Sequence, residues 1–133
     1  MSRTQVGTRL LAPFSPGAAY SNGFDVSLPI SGNTVHTGVG FKPSAIVFHS
    51  MVTNGFSFCS GFYSWNGGAP TYSGLVNVGT VSMSGQGEPV IGYVAGGNVR
   101  AQILTLDTDR FTLTWTPAGS PTGSMAIRYM AYK

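Results

Sequence analysis

Arg110–Thr116 reads RFTLTWT and Ser124–Tyr132 reads SMAIRYMAY. In the first run Phe111, Leu113 and Trp115 fall on one side of an extended chain, and Thr112, Thr114 and Thr116 on the other. In the second, Met125, Ile127, Tyr129 and Ala131 share a side. Successive side chains of a strand point to opposite faces, so a period of two marks a β-strand with one buried face. The β-branched and aromatic residues of both runs suit such a half-buried, pleated surface. Two strands are therefore predicted here, with Phe111, Leu113 and Trp115 on a core face. Ala118–Gly123 between them carries the turn residues.

The same reading extends outward along the chain. Strands are predicted at Phe24–Ile30, Ser44–Ser50, Phe56–Phe62, Leu75–Met83, Pro89–Ala95 and Val99–Leu106, with Phe56, Phe58 and Phe62 on one face of theirs. Turn residues separate them at Ser21-Asn22-Gly23, Ser31-Gly32-Asn33, Thr53-Asn54-Gly55, Asn66-Gly67-Gly68 and Gly85-Gln86-Gly87. Gly96-Gly97 between two apolar runs is a hairpin signal. Nineteen glycines and eight prolines interrupt nearly every window long enough for a helix. About eight short strands spaced this way predict an all-β chain, an antiparallel β-sandwich or jelly roll. The Gly-Phe pair recurs at irregular spacing, so no solenoid or propeller repeat is present.

Residues 1–20 read differently from the sandwich domain expected over residues 21–133. They lack alternation, contain Pro13 and Pro16, and carry Arg3 and Arg9. One reading is a frayed terminus. The other is an extended arm that orders on a neighbouring subunit, with Leu10, Leu11, Phe14 and Tyr20 as its apolar residues.

At 133 residues and 13.9 kDa the chain is one domain's worth, long enough to bury a core without disulfide or metal. Only 8% of it is charged, and the net charge of +3 comes from scattered residues. Nucleic-acid binding calls for Lys and Arg clustered on one face, so no direct nucleic-acid partner is expected. Disorder is disfavoured at 42% hydrophobic residues. So little charge suits a protein packed against partners, and a dimer or trimer of this chain is expected. The single Cys59 excludes an intrachain disulfide and a multi-cysteine zinc site, and reads as a buried small hydrophobe. No apolar run is long enough for a secretory signal or a membrane span, so synthesis in a cytoplasm and no membrane association are expected.

Catalytic and cofactor motifs are missing: the chain has no GxSxG, Walker loop, GxGxxG or HExxH. His36 and His49 lie on or beside different strands, with no local carboxylate. Asp107-Thr108-Asp109 reads as a turn, with a weak cation site as the alternative. Asp25 and Glu88 offer no recognisable acid–base pair. The expectation is a protein without enzymatic activity, cofactor or bound metal. One segment is suited to binding. Phe62–Tyr72 sets Tyr63, Trp65 and Tyr72 around a glycine-rich loop that contains Asn66. Tyr and Trp combine large contact area with a polar handle. Three readings stay open for these residues: core packing, a subunit contact, or a ligand site of the kind that binds glycans.

Gly40-Phe41-Lys42-Pro43-Ser44-Ala45-Ile46-Val47-Phe48 resembles the GF-x-P-x-A-(I/V)-(I/V) strand opening of many small virion proteins of tailed bacteriophages. Asp107–Thr116, followed by Ala126–Ala131, resembles their closing D-x-D-G-F-T-L-T-W … I-x-Y-x-A hairpin, with Arg110 where that pattern has Gly. The resemblance runs from about Gly38 to the C-terminus with a gap. It implies a β-sandwich virion component and brings no catalytic residue with it. Such proteins include capsid decoration (cement) proteins and tail-fibre or receptor-binding pieces. No apolar heptads mark a fibre shaft here, so a cement protein bound to the major capsid or another virion protein is the leading expectation. A receptor-binding module for a host glycan is the alternative.

Overall fold

The computed structural model describes residues 17–52, 57–66, 69–78, 81–86, 88–94 and 96–133, with the backbone alone at 66, 69–78 and 81–86. Ten strands form: β1 (Ala19–Leu28), β2 (Gly32–Thr37), β3 (Ala45–Val52), β4 (Ser57–Asn66), β5 (Ala69–Val78), β6 (Val81–Gln86), β7 (Val90–Val94), β8 (Gly97–Leu106), β9 (Arg110–Gly119) and β10 (Gly123–Tyr132). They make two antiparallel sheets, ordered β1-β10-β3-β4-β5-β6 and β2-β9-β8-β7. The chain is an all-β sandwich. Its first and last strands nest as in a jelly roll, β1 on β10 and β2 on β9. Strands β3 to β6 and β7 to β9 run as meanders.

The alternation of β9 and β10 builds the core. Phe111, Leu113, Met125 and Ile127 are fully buried, and Trp115 and Tyr129 nearly so. They meet Ile46 and Phe48 of β3 and Val90, Val99 and Ala101 of β7 and β8. Tyr129 stands edge-on to Phe111, with ring centroids 4.9 Å apart and planes at 85°. Trp115 donates its indole N–H to Thr34 Oγ1 at 2.9 Å, so the polar end of a buried ring is satisfied. The Gly96-Gly97 signal is a hairpin in which Val94 pairs with Gly97. Gly96 has φ 95°, and a side chain there would also meet the Ser120 carbonyl.

Four features differ from the sequence reading. The described residues form ten strands, where about eight were expected. Strand β2 (GNTVHT) was not expected, because its few apolar residues hide the alternation; Thr34 and His36 face inward and Val35 outward. Leu75–Met83 is the end of β5 and the start of β6, with Val78 paired to Val81. Finally, β1 begins at Ala19, so the boundary drawn after residue 20 and the turn expected at Ser21-Asn22-Gly23 both fall inside a strand, and Tyr20 packs 6.2 Å from Tyr129 instead of belonging to an arm.

The phenylalanines of β4 do share a face, but it is the outer one. Phe58 is 48% and Phe62 40% exposed, while Cys59 and Tyr63 point inward. The cause is close approach. Gly61 lies against the chain just before β7, where a Cβ would run into the Pro89 carbonyl. The inner face of β4 therefore has no room for a side chain at Gly61, while Tyr63 fills it two residues on and Phe58 and Phe62 take the outer face.

Candidate functional site

The two outer faces of the sandwich differ in chemistry. On the four-stranded sheet, Asn98, Arg100, Gln102, Thr114 and Thr116 line a shallow groove of about 280 Å³. Arg100 lies 3.8 Å from Glu88 there, and Val35 is an exposed apolar exception. On the six-stranded sheet the described outward residues include an apolar patch on β3, β4 and β10. Met51 pairs across strands with Phe58, Val47 with Phe62, and Met130 with Val47. Met51, Phe58, Phe62, Met130 and Tyr132 are all between 39% and 55% exposed. His49 lies among them and stacks on Phe58 with centroids 6.2 Å apart. Among the described residues, charge enters this face at the β1 border, where Arg128 lies over Gly23 and comes within 3.9 Å of Asp25. Both ends of that pair are largely exposed, so it contributes little stability. Its effect is to neutralise the border of the face.

A cleft opens at the end of β4. It is about 460 Å³ and is lined by the Lys42–Ser44 loop, by Tyr63 and Trp65 of β4, and by Ile103–Leu106 of β8. Two local features shape it. Ile103 pairs with Leu113 and Thr105 with Thr112, which leaves Leu104 as the extra residue of a β-bulge. Bulges re-aim side chains, and Leu104 is exposed and lines the cleft. On the opposite side, Trp65 donates its backbone N–H to the Ser44 carbonyl at 2.9 Å, which ties the end of β4 to the loop. The indole of Trp65 is 52% exposed. Among the described residues lining the cleft, Lys42 is the one with a charged side chain.

The residues singled out from sequence separate accordingly. Tyr63 is a core residue, 3% exposed, that forms part of the cleft wall. Trp65 is at the surface. Asn66 ends β4, and Tyr72 sits in β5 opposite Tyr63, so the expected loop is a β-hairpin; the side chains of Asn66 and Tyr72 lie outside the described residues. Arg3, Arg9, Leu10, Leu11 and Phe14 also lie outside them. Cys59 is buried against Ile91, as a small hydrophobe.

His36 is stacked between Phe24 at 4.0 Å and Phe111 at 5.0 Å, and burial pushes its pKa down to about 4. Its Nε2 lies 2.9 Å from Thr34 Oγ1. Asp107–Asp109 is the β8–β9 turn, closed by the Asp107 N–H donating to the Arg110 carbonyl. The Asp109 carboxylate also accepts the Gly40 N–H at 2.7 Å, so it fastens a distant loop. Among the described residues, no three His, Cys, Asp or Glu side chains gather as metal ligands would.

Sequence reasoning missed the outer face of β3, β4 and β10. The signal was present in Ala45–Val52 (AIVFHSMV), where apolar residues occupy both faces; a strand covered on both sides reads this way. Leu104 had no such signal, because the bulge appears only in the strand register. Compared with family models, curated proteins and solved structures, the chain matches none.

Proposed function

We propose that this chain is a non-enzymatic structural protein of a tailed-bacteriophage virion, a capsid decoration (cement) protein that acts as a homo-oligomer on the head surface. The observation that carries this reading is the apolar patch that β3, β4 and β10 present on the outer face of the six-stranded sheet. Contiguous exposed apolar patches on small domains mark contact surfaces. Here the patch is built from methionine and phenylalanine side chains on paired strands, and the ion pair beside it among the described residues is internally neutral. Two copies can therefore approach face to face without like-charge repulsion, at about the 10 Å spacing of packed sheets. The virion setting comes from the resemblance of Gly40–Phe48 and of the Asp107–Ala131 region to small virion proteins.

Sedimentation of the wild type and of Phe58→Asp, together with co-sedimentation on phage heads, tests the proposal. The wild type should run as a dimer or trimer and bind shells. Phe58→Asp should stay folded and run as a monomer. A wild-type monomer that gains no mass on adding shells would sink the reading.

A receptor-binding module that recognises a host cell-surface glycan is the second reading. The cleft beside Trp65 favours it: a half-exposed indole over an apolar wall, with polar groups at the rim.

A further inference from the structure

We infer that the cleft between Trp65 and the β8 bulge is a binding site for an acidic saccharide, a pyranose that carries a carboxylate. The inference rests on the receptor-binding reading and names its ligand class. The cleft volume of about 460 Å³ falls within the range of about 300–1,000 Å³ usual for small-molecule sites. Its wall is apolar at Tyr63, Trp65, Leu104 and Leu106, and its polar groups are Lys42, Ser44 and Thr105. A ligand that fits must present an apolar face and a polar edge. A pyranose does so, with C–H groups that rest on the negative face of an indole and hydroxyls around the rim.

Charge narrows the class. Lys42 is the charged group of the lining, and no carboxylate lines the cleft among the described residues. A carboxylated sugar edge would gain a charge-assisted hydrogen bond from Lys42. The sheet topology disfavours an extended peptide. Strand β4 is paired on both sides, with β3 and β5, and β8 is paired with β7 and β9. Neither offers a free edge for strand addition, the mode in which main-chain hydrogen bonds supply the affinity.

The two tryptophans provide the assay. Trp115 is buried and Trp65 is exposed, so quenching by acrylamide reports on Trp65. The probes are a galacturonic-acid trisaccharide and the corresponding neutral galactose trisaccharide, at millimolar concentration and physiological salt. The acidic probe should bind and protect Trp65 from quenching. Lys42→Gln should weaken it by about fivefold and leave the neutral probe unchanged, the size expected for one exposed charged contact. Trp65→Ala should abolish binding of both, read by calorimetry, while Trp115 emission reports that the variant is folded. Equal binding of acidic and neutral probes would overturn the acid preference and leave the glycan-binding reading standing. Failure of both probes would overturn the site and that reading together. Binding that survives Trp65→Ala would place the sugar elsewhere and overturn the proposal.

Discussion

Acid should weaken this fold through His36. The ring is held between Phe24 and Phe111, and Thr34 connects it to Trp115. Thr34 Oγ1 accepts the Trp115 N–H, so its own proton is free to be donated to His36 Nε2. That arrangement requires a neutral imidazole. Protonation would put a donor on Nε2 facing the Thr34 hydroxyl and a charge between two apolar rings. Burial accordingly holds the pKa at about 4 in the fold, against 6.5 for an ordinary histidine.

The sign follows from linkage. The unfolded chain takes up the proton first, so the stability contributed by neutral His36 is complete above pH 6.5 and is lost progressively down to about pH 4. At about 1.4 kcal/mol for each pH unit of separation, the ceiling is about 3 kcal/mol. The ring is partly solvated, so screening should reduce the observed loss to about 1–2 kcal/mol.

Urea unfolding followed by tryptophan emission, from about pH 7.5 to about pH 4, measures this loss. His36→Phe keeps a ring in the stack and removes the titration; its stability should fall less steeply over that range. An unaltered slope in His36→Phe, or a His36 imidazole that titrates near pH 6.5 by NMR, would refute the reasoning.

Three further outcomes are expected from unfolding measurements. Trp115→Ala should cost about 3–5 kcal/mol as a large-to-small change in the core, while Thr114→Ala on the outer face should cost under about 1 kcal/mol; equal small losses would mean that the faces of β9 are reversed. Gly61→Ala should destabilise by about 1–3 kcal/mol or more, because its Cβ meets the Pro89 carbonyl, which is backbone and yields little; a neutral result would show that β4 and the chain before β7 are not in close contact. Ser50→Ala should stabilise by about 1 kcal/mol, since the Ser50 hydroxyl is buried without a hydrogen-bond partner among the described residues; a loss of stability would reveal a partner for it.

Fold class and the core faces of β9 and β10 were determined by the sequence alone. Phe111, Leu113 and Trp115 on one side and three threonines on the other leave a strand one way to face a core. The same holds for Met125, Ile127, Tyr129 and Ala131. Local alternation suffices there because slipping by one residue would expose every apolar side chain at once. The hairpin signal at Gly96 was legible too, because its positive φ is a requirement of the local chain, whereas Ser21-Asn22-Gly23 has turn residues and is paired along its length with β10.

The candidate sites were decided by tertiary structure. Alternation in β4 places Phe58 and Phe62 together but does not say which face is inward; in the fold the inner face is the one on which Gly61 meets Pro89. Strand β2 is a strand because β9 offers its Trp115–Arg110 edge as a partner, not because its own residues demand it. Leu104 reaches the cleft through a bulge between two paired strands, and His36 has a lowered pKa through rings from β1 and β9. Each of these depends on contacts distant in sequence. A pattern read along one chain segment carries the direction of its side chains, whereas what those side chains meet is set by the strands folded against them.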